Sequence, residues 1–84
     1  MSSLHIIRRS DDNFAVQAVR FEKTGGKVAV LFVQDAVSSD IADVAPIYVS
    51  EPDLRARGMK SPHEAMDYEG MARLISEYDR VVVW

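Results

Sequence analysis

The sequence contains one run of six consecutive apolar side chains, Val28–Val33, in the first half of a chain of 84 residues. In an extended segment, successive side chains point to opposite faces, so this run places hydrocarbon on both faces of a strand. An antiparallel strand with one face in water would alternate apolar and polar residues instead. The run therefore predicts a central strand of a parallel sheet that is covered by helices on both faces.

Shorter patterns on both sides of this run predict alternating strands and helices. The predicted strands are Leu4–Arg8, Lys27–Val33, Ile47–Val49 and Val81–Trp84, with a weaker candidate at Ala65–Met66. The predicted helices run from about Asp12 to Lys23, Asp35 to Asp43, Glu51 to Arg57, and onward from the cap Asp67. This alternation is typical of right-handed parallel α/β folds. We therefore expect a single domain over residues 1–84, a three-layer α/β/α sandwich around a mostly parallel sheet of four or five strands.

The first predicted helix has more apolar surface than contact with a sheet requires. A helix that rests on a sheet and faces water needs an apolar arc of only about 100°. Phe14, Ala18 and Phe21 widen that arc. The excess predicts a second contact, such as another subunit, although small residues such as Ala18 also occur as neutral surface positions. Trp84 is a further candidate contact residue, with folding back over the sheet as the alternative.

Composition restricts the environment and the partners of the chain. The formal net charge is -3, so there is no global electrostatic case for nucleic-acid binding. No apolar run is long enough to span a bilayer, and the residues from Met1 to His5 lack a signal-peptide pattern. We expect a cytoplasmic protein that does not enter the membrane.

The residue inventory argues against catalysis. The chain has no cysteine, which excludes thiol chemistry, and it has no Gly-x-Ser-x-Gly elbow for a serine hydrolase. Gly25-Gly26 precedes a strand and so does not form a phosphate-binding loop. His5 and His63 lack metal-ligand spacing, and we expect the first to be packed in the fold and the second to be solvated. We predict no enzyme activity, no metal and no cofactor.

Polar residues follow the predicted strands at the carboxyl edge, where parallel sheets gather ligands and partners. Gln34 and Asp35 directly follow the predicted central strand, and Asp35 is also a candidate helix cap. A possible cationic rim for phosphates of RNA or an acidic protein consists of Arg8, Arg9, Arg55 and Arg57. The alternative interpretation treats these arginines as solvated surface charges.

Several stretches, in the same order, resemble the DsrH/TusB family of sulfur-relay proteins. They are Leu4–Ser10, Val30–Val37, Ile47–Val49, Asp53–Gly58, Asp67-Tyr68 and Trp84, which together extend over nearly the whole chain. The resemblance implies a DsrEFH-like fold and a place beside DsrE-like (TusD-like) and DsrF-like (TusC-like) subunits. In such complexes, a persulfide sulfur passes between cysteines toward tRNA wobble-uridine 2-thiolation or dissimilatory sulfur oxidation. Some members carry a cysteine on the first helix, where this chain has Ala18.

Two functional hypotheses remain open from the sequence. The first is a non-catalytic subunit that supports a sulfurtransferase complex and contacts its partners, or copies of itself, through Phe14, Ala18, Phe21, Gln34, Asp35 and Trp84. Any contact with tRNA would then be indirect. The alternative is a stand-alone homo-oligomer that binds a small anion or a nucleotide at the carboxyl edge of the sheet.

Overall fold

A computed structural model describes residues 1–42 and 44–84 and contains a five-stranded sheet with helices on both faces. The strands are β1 (Ser2–Ile7), β2 (Lys27–Phe32), β3 (Ile47–Ser50), β4 (Glu64–Met66) and β5 (Arg80–Val83). The helices are α1 (Asn13–Lys23), α2 (Glu51–Ala56) and α3 (Tyr68–Ser76), and a 3-10 helix spans Gln34–Ser38.

The strands lie in the order β4-β3-β2-β1-β5, and every neighbouring pair is parallel. β2 pairs with β1 and β3, so the apolar run that begins at Val28 occupies the predicted central position. The short strand β4 pairs with β3, which confirms the weaker strand candidate at Ala65–Met66. The predicted α/β fold class is therefore confirmed, with five strands that are all parallel.

Two apolar cores pack against opposite faces of the sheet. Alternate residues of β2 divide between them, with Val30 in the core that contains Val19 of α1 and Leu31 in the core that contains Leu74 of α3. Leu54 of α2 belongs to the first core. Right-handed connections explain this division, because the chain moves from β1 to β4 in one direction and α3 carries it back to β5.

The start of the first helix agrees with the sequence prediction, whereas the second predicted helix does not form as expected. α1 is capped by Asp12, whose side chain accepts a hydrogen bond from the Ala15 N–H. The segment after β2 forms only the 3-10 helix, its cap position Val33 has no side-chain bond, and Asp35 is therefore not a cap. The predicted end of that helix, Asp43, lies outside the described residues.

The second and third helices begin as predicted. Ser50 accepts from the Asp53 N–H at the start of α2, and Asp67 accepts from the Gly70 N–H at the start of α3. The pattern Ser50-Glu51-Pro52-Asp53 is that of a capping box, but the Asp53 carboxylate accepts from the Gln34 N–H rather than from the Ser50 N–H among the described contacts. Over residues 1–42 and 44–84, no helix combines the length and the apolar character that crossing a bilayer requires.

Candidate functional site

The carboxyl edge of the sheet brings Gln34 and Asp35 together with two residues of the α2 region. The Gln34 N–H donates to Oδ2 of Asp53 at 2.9 Å. Arg57 donates to Oδ1 of Asp35 at 3.0 Å and lies 3.5 Å from Oδ1 of Asp53. Two carboxylates thus surround one guanidinium, so this part of the edge attracts cations more than anions.

Gln34 adopts a backbone conformation that is uncommon for a residue with a side chain. Its φ is 53°, in the left-handed region, where Cβ crowds the following carbonyl oxygen. The bond from its N–H to Asp53 holds the chain in this turn as it leaves β2. The turn lets the 3-10 helix begin immediately after the strand, and Ala36 and Val37 of that helix are buried against the first core.

The four arginines of the predicted rim each have an oxygen partner. Arg8 donates to the main-chain oxygen of Trp84 at 2.6 Å, and Arg9 lies 3.7 Å from Asp11 in an exposed ion pair. Arg55 pairs with Glu51 one turn earlier in α2. With Arg57 held by two aspartates, the charges of this predicted rim are locally compensated rather than gathered around one point.

An open cleft of about 570 Å³ lies between the carboxyl ends of β3 and β4. Here the connection after β3 goes to the face of α1 and the connection after β4 goes to the opposite face. The cleft is lined by Glu51, Arg55, Ala65, Met66, Asp67, Gly70 and Arg73. It therefore carries two guanidinium groups and two carboxylates, and the sequence analysis did not predict that they share one cleft.

The outer face of α1 presents two phenylalanine rings to solvent. Phe14 is 79% exposed and Phe21 is 80% exposed, and the two are two helical turns apart. Ala18 lies between them on the same side of the helix and is half-buried. Within the part of the chain that the structure describes, no element packs over these rings, so the excess apolar arc predicted for the first helix lies on the surface.

Trp84 folds back over the sheet and takes part in a polar network beneath α1. Its indole N–H lies 3.0 Å from Nδ1 of His5, which is 1% exposed, and the two rings stack with centroids 6.0 Å apart. His5 Nε2 lies 2.8 Å from Glu22, and the other oxygen of Glu22 binds Arg80. Sequence reasoning placed His5 in the packed fold but missed this network, whose members are up to 79 residues apart.

The network explains the acidity of Glu22. The hydrogen bond from His5 lowers the pKa of the Glu22 carboxyl below its ordinary value, and Arg80 lowers it further, while burial acts in the opposite direction. Glu22 is therefore an ionised acceptor near neutral pH. The network joins β1, α1 and β5, because Arg80 also donates to the hydroxyl of Ser3.

The second histidine does not behave as predicted. His63 is half-buried rather than solvated, its ring lies 6.1 Å from that of Phe32, and its Nε2 is buried without a hydrogen-bond partner among the described residues. The prediction was wrong because the loop before β4 returns across the first core. Across residues 1–42 and 44–84, no group of three or more histidine, aspartate or glutamate side chains is placed to hold a metal ion.

Comparison with known proteins adds no assignment: no family model matches the sequence, and the search of curated proteins gives no match. The geometry therefore offers two candidate functional surfaces. One is the apolar outer face of α1, and the other is the cleft between β3 and β4.

Proposed function

We propose that this protein is a non-catalytic subunit of a sulfur-relay complex of the DsrH/TusB type. The observation that carries the proposal is the pair of exposed rings on α1, Phe14 and Phe21. Two large aromatic side chains on one helix face are an unusual feature of a monomer surface and a common feature of protein interfaces. The sequence resemblance supplies the identity of the partners, which are DsrE-like (TusD-like) and DsrF-like (TusC-like) subunits.

The absence of cysteine assigns the role within such a complex. Persulfide transfer needs a thiol, and this chain has none. The first helix carries Ala18 where some family members carry a cysteine. The subunit would then shape or stabilise an assembly in which the reactive thiols belong to its neighbours, and its contact with tRNA would be indirect.

Co-purification with cysteine-bearing DsrE-like and DsrF-like subunits tests the proposal. We expect a stable complex in size-exclusion chromatography with light scattering, and its loss in the Phe14→Ser/Phe21→Ser double variant. Ile75→Ser is a matched control, because Ile75 is a partly exposed apolar residue on α3 at the opposite face. A wild-type protein that never associates with these partners, or a double variant that associates equally well, would contradict the proposal.

A sulfur-labelling experiment tests the non-catalytic role separately. When the reconstituted complex is loaded with labelled sulfane sulfur and denatured without reductant, the label should remain on the partner subunits. Label attached covalently to this chain would overturn the assignment.

A second candidate function is the binding of a small anion or nucleotide in the cleft between β3 and β4. The cleft lies at the carboxyl edge of the parallel sheet, and Arg55 and Arg73 both line it. Each arginine is ion-paired with a glutamate of its own helix, so a bound anion would have to compete for it. The site is thus less available than its location suggests.

Thermal-shift measurements with sulfate, thiosulfate and nucleoside phosphates distinguish this second function from the first. A binding site predicts stabilisation by one of these ligands that is lost in Arg55→Gln/Arg73→Gln and kept in Arg20→Gln, a change on exposed α1 surface. A flat response of the wild-type protein would exclude this candidate for those ligands.

A further inference from the structure

Trp84 determines the tautomer of His5. An indole N–H only donates hydrogen bonds, so the nitrogen that faces it at 3.0 Å, Nδ1 of His5, is the acceptor. The remaining ring nitrogen, Nε2, then carries the proton and donates it to the ionised Glu22 at 2.8 Å. The buried imidazole is thus held in its neutral form between a donor on one side and an acceptor on the other.

A second proton on this imidazole is incompatible with the bond to Trp84. It would place an N–H on Nδ1 that points at the N–H of the indole, so two donors would face each other. The bond to Glu22 would persist, because Nε2 keeps its hydrogen and the carboxylate becomes the partner of a cation. Protonation therefore removes one hydrogen bond of His5 selectively.

Two charged side chains lie close to His5. Glu22 of α1 faces Nε2, and Arg80 of β5 binds the other oxygen of Glu22. From the neighbouring strands, Val30 and Val82 are in register with His5, and neither titrates. The ring itself is 1% exposed.

The main chain of Trp84 is anchored independently of the indole. Its N–H donates to the Ile6 oxygen at 2.9 Å, and its own oxygen accepts from Arg8 at 2.6 Å. Loss of the bond to His5 would consequently free the side chain while β5 keeps its pairing with β1. The half-buried indole would turn outward and open the buried imidazole to solvent.

We infer that His5 and Trp84 form a proton-sensitive latch, in which neutral His5 holds the indole against the sheet and protonated His5 releases it. The latch uses only residues within this chain, so it stands independently of the proposed function. Histidine side chains ordinarily change charge in roughly the range from pH 5 to 8, so the latch is tested across that range.

Intrinsic fluorescence provides a specific test, because Trp84 is the only tryptophan of the chain. The His63→Asn variant serves as the background, since it leaves His5 as the only histidine. Lowering the pH from about 8 to about 5 should shift the emission to longer wavelength as His5 titrates, with unchanged far-ultraviolet circular dichroism. Heteronuclear NMR of the imidazole and indole nitrogens should show that His5 Nε2 carries a proton and that Nδ1 is unprotonated at the upper pH.

Two variants of His5 separate the latch from general acid effects. In His5→Asn, the amide oxygen takes the approximate place of Nδ1 and does not titrate, so the emission should stay independent of pH. In His5→Leu, no acceptor remains, and the emission should resemble the released state at every pH. If His5→Leu does not fold, the NMR measurement of the His5 tautomer and the pH dependence of emission in His5→Asn still test the latch. A protonated Nδ1 at the upper pH, unchanged emission while His5 titrates, or a pH transition that persists in His5→Asn would overturn the inference.

Discussion

The backbone N–H of Gln34 donates a hydrogen bond to the Asp53 carboxylate at 2.9 Å. This bond connects the second residue after β2 to the first turn of α2, 19 positions further along the chain. The same carboxylate lies 3.5 Å from Arg57, so Asp53 links two segments of the carboxyl edge.

Replacement of Asp53 should destabilise the fold through the loss of this acceptor. We expect Asp53→Ala to lower the free energy of unfolding by about 2 kcal/mol, since the bond is charge-assisted and the Asp53 side chain is half-buried. Asp53→Asn keeps an oxygen for the Gln34 N–H and should cost less. Urea denaturation measures both changes, with Asp40→Ala at an exposed position as the control. Equal stability of Asp53→Ala and wild type would contradict the structural role.

The left-handed backbone of Gln34 makes the effect of substitution depend on side-chain shape. Gln34→Gly removes the Cβ crowding but adds disorder to the unfolded chain, so the stability should stay within about 1 kcal/mol of wild type. Gln34→Val places a β-branched residue at positive φ and should cost more than about 1 kcal/mol. Thermal unfolding followed by circular dichroism compares the two, and the reverse order of stabilities would contradict this conformation.

The two exposed rings of α1 should contribute little to the stability of the isolated chain. We expect Phe14→Ser and Phe21→Ser each to change the free energy of unfolding by less than about 0.5 kcal/mol. Val19→Ala, on the buried face of the same helix, should cost about 2 kcal/mol. Chemical denaturation at low protein concentration makes this comparison, and a large loss of stability in the serine variants would indicate that the rings pack within the chain.

The lowered pKa of Glu22 predicts a dependence of stability on acid. Because the folded-state pKa lies below the unfolded-state value, this carboxylate stabilises the fold above the unfolded pKa and loses that contribution as pH falls through the folded pKa. Stability should therefore decrease below the ordinary glutamate range, roughly pH 4 to 5, and Glu22→Gln should weaken that decrease.

The matched control for Glu22 is Glu69→Gln, because Glu69 forms an exposed pair with Arg73 on α3. Its effect on the acid dependence should be small. Free energies of unfolding from urea titrations at several acidic pH values measure both variants. A Glu22→Gln protein whose stability follows the same pH curve as wild type would argue against a contribution from the network.

The sequence predicts most of the elements because local patterns encode them directly. The apolar run of β2 requires two covered faces, and Ser50 and Asp67 mark the starts of α2 and α3 at the observed positions. Local patterns were less successful where a side chain had two possible partners. Asp35 is a residue type that commonly caps helices, but in the structure its carboxylate binds Arg57, which is 22 positions away.

Of the two candidate surfaces, one was predictable from local sequence patterns and the other depended on the tertiary structure. The excess apolar arc of α1 was readable from sequence, because helical periodicity alone places Phe14 and Phe21 on one side. The cleft between β3 and β4 was not, because it depends on the order of the strands in the sheet. Likewise, the partners of Arg8 and Arg55 depend on which oxygen atoms the fold brings near them.

By itself the sequence determined the parallel α/β class, the central position of Val28–Val33 and the lack of a thiol, since each follows from the identity and local spacing of residues. Only the tertiary structure decided that Trp84 faces His5 and that two carboxylates share Arg57. The physical reason is that hydrogen bonds and ion pairs act over a few ångströms. Residues far apart along the chain meet at that distance only after the strands have taken their places in the sheet.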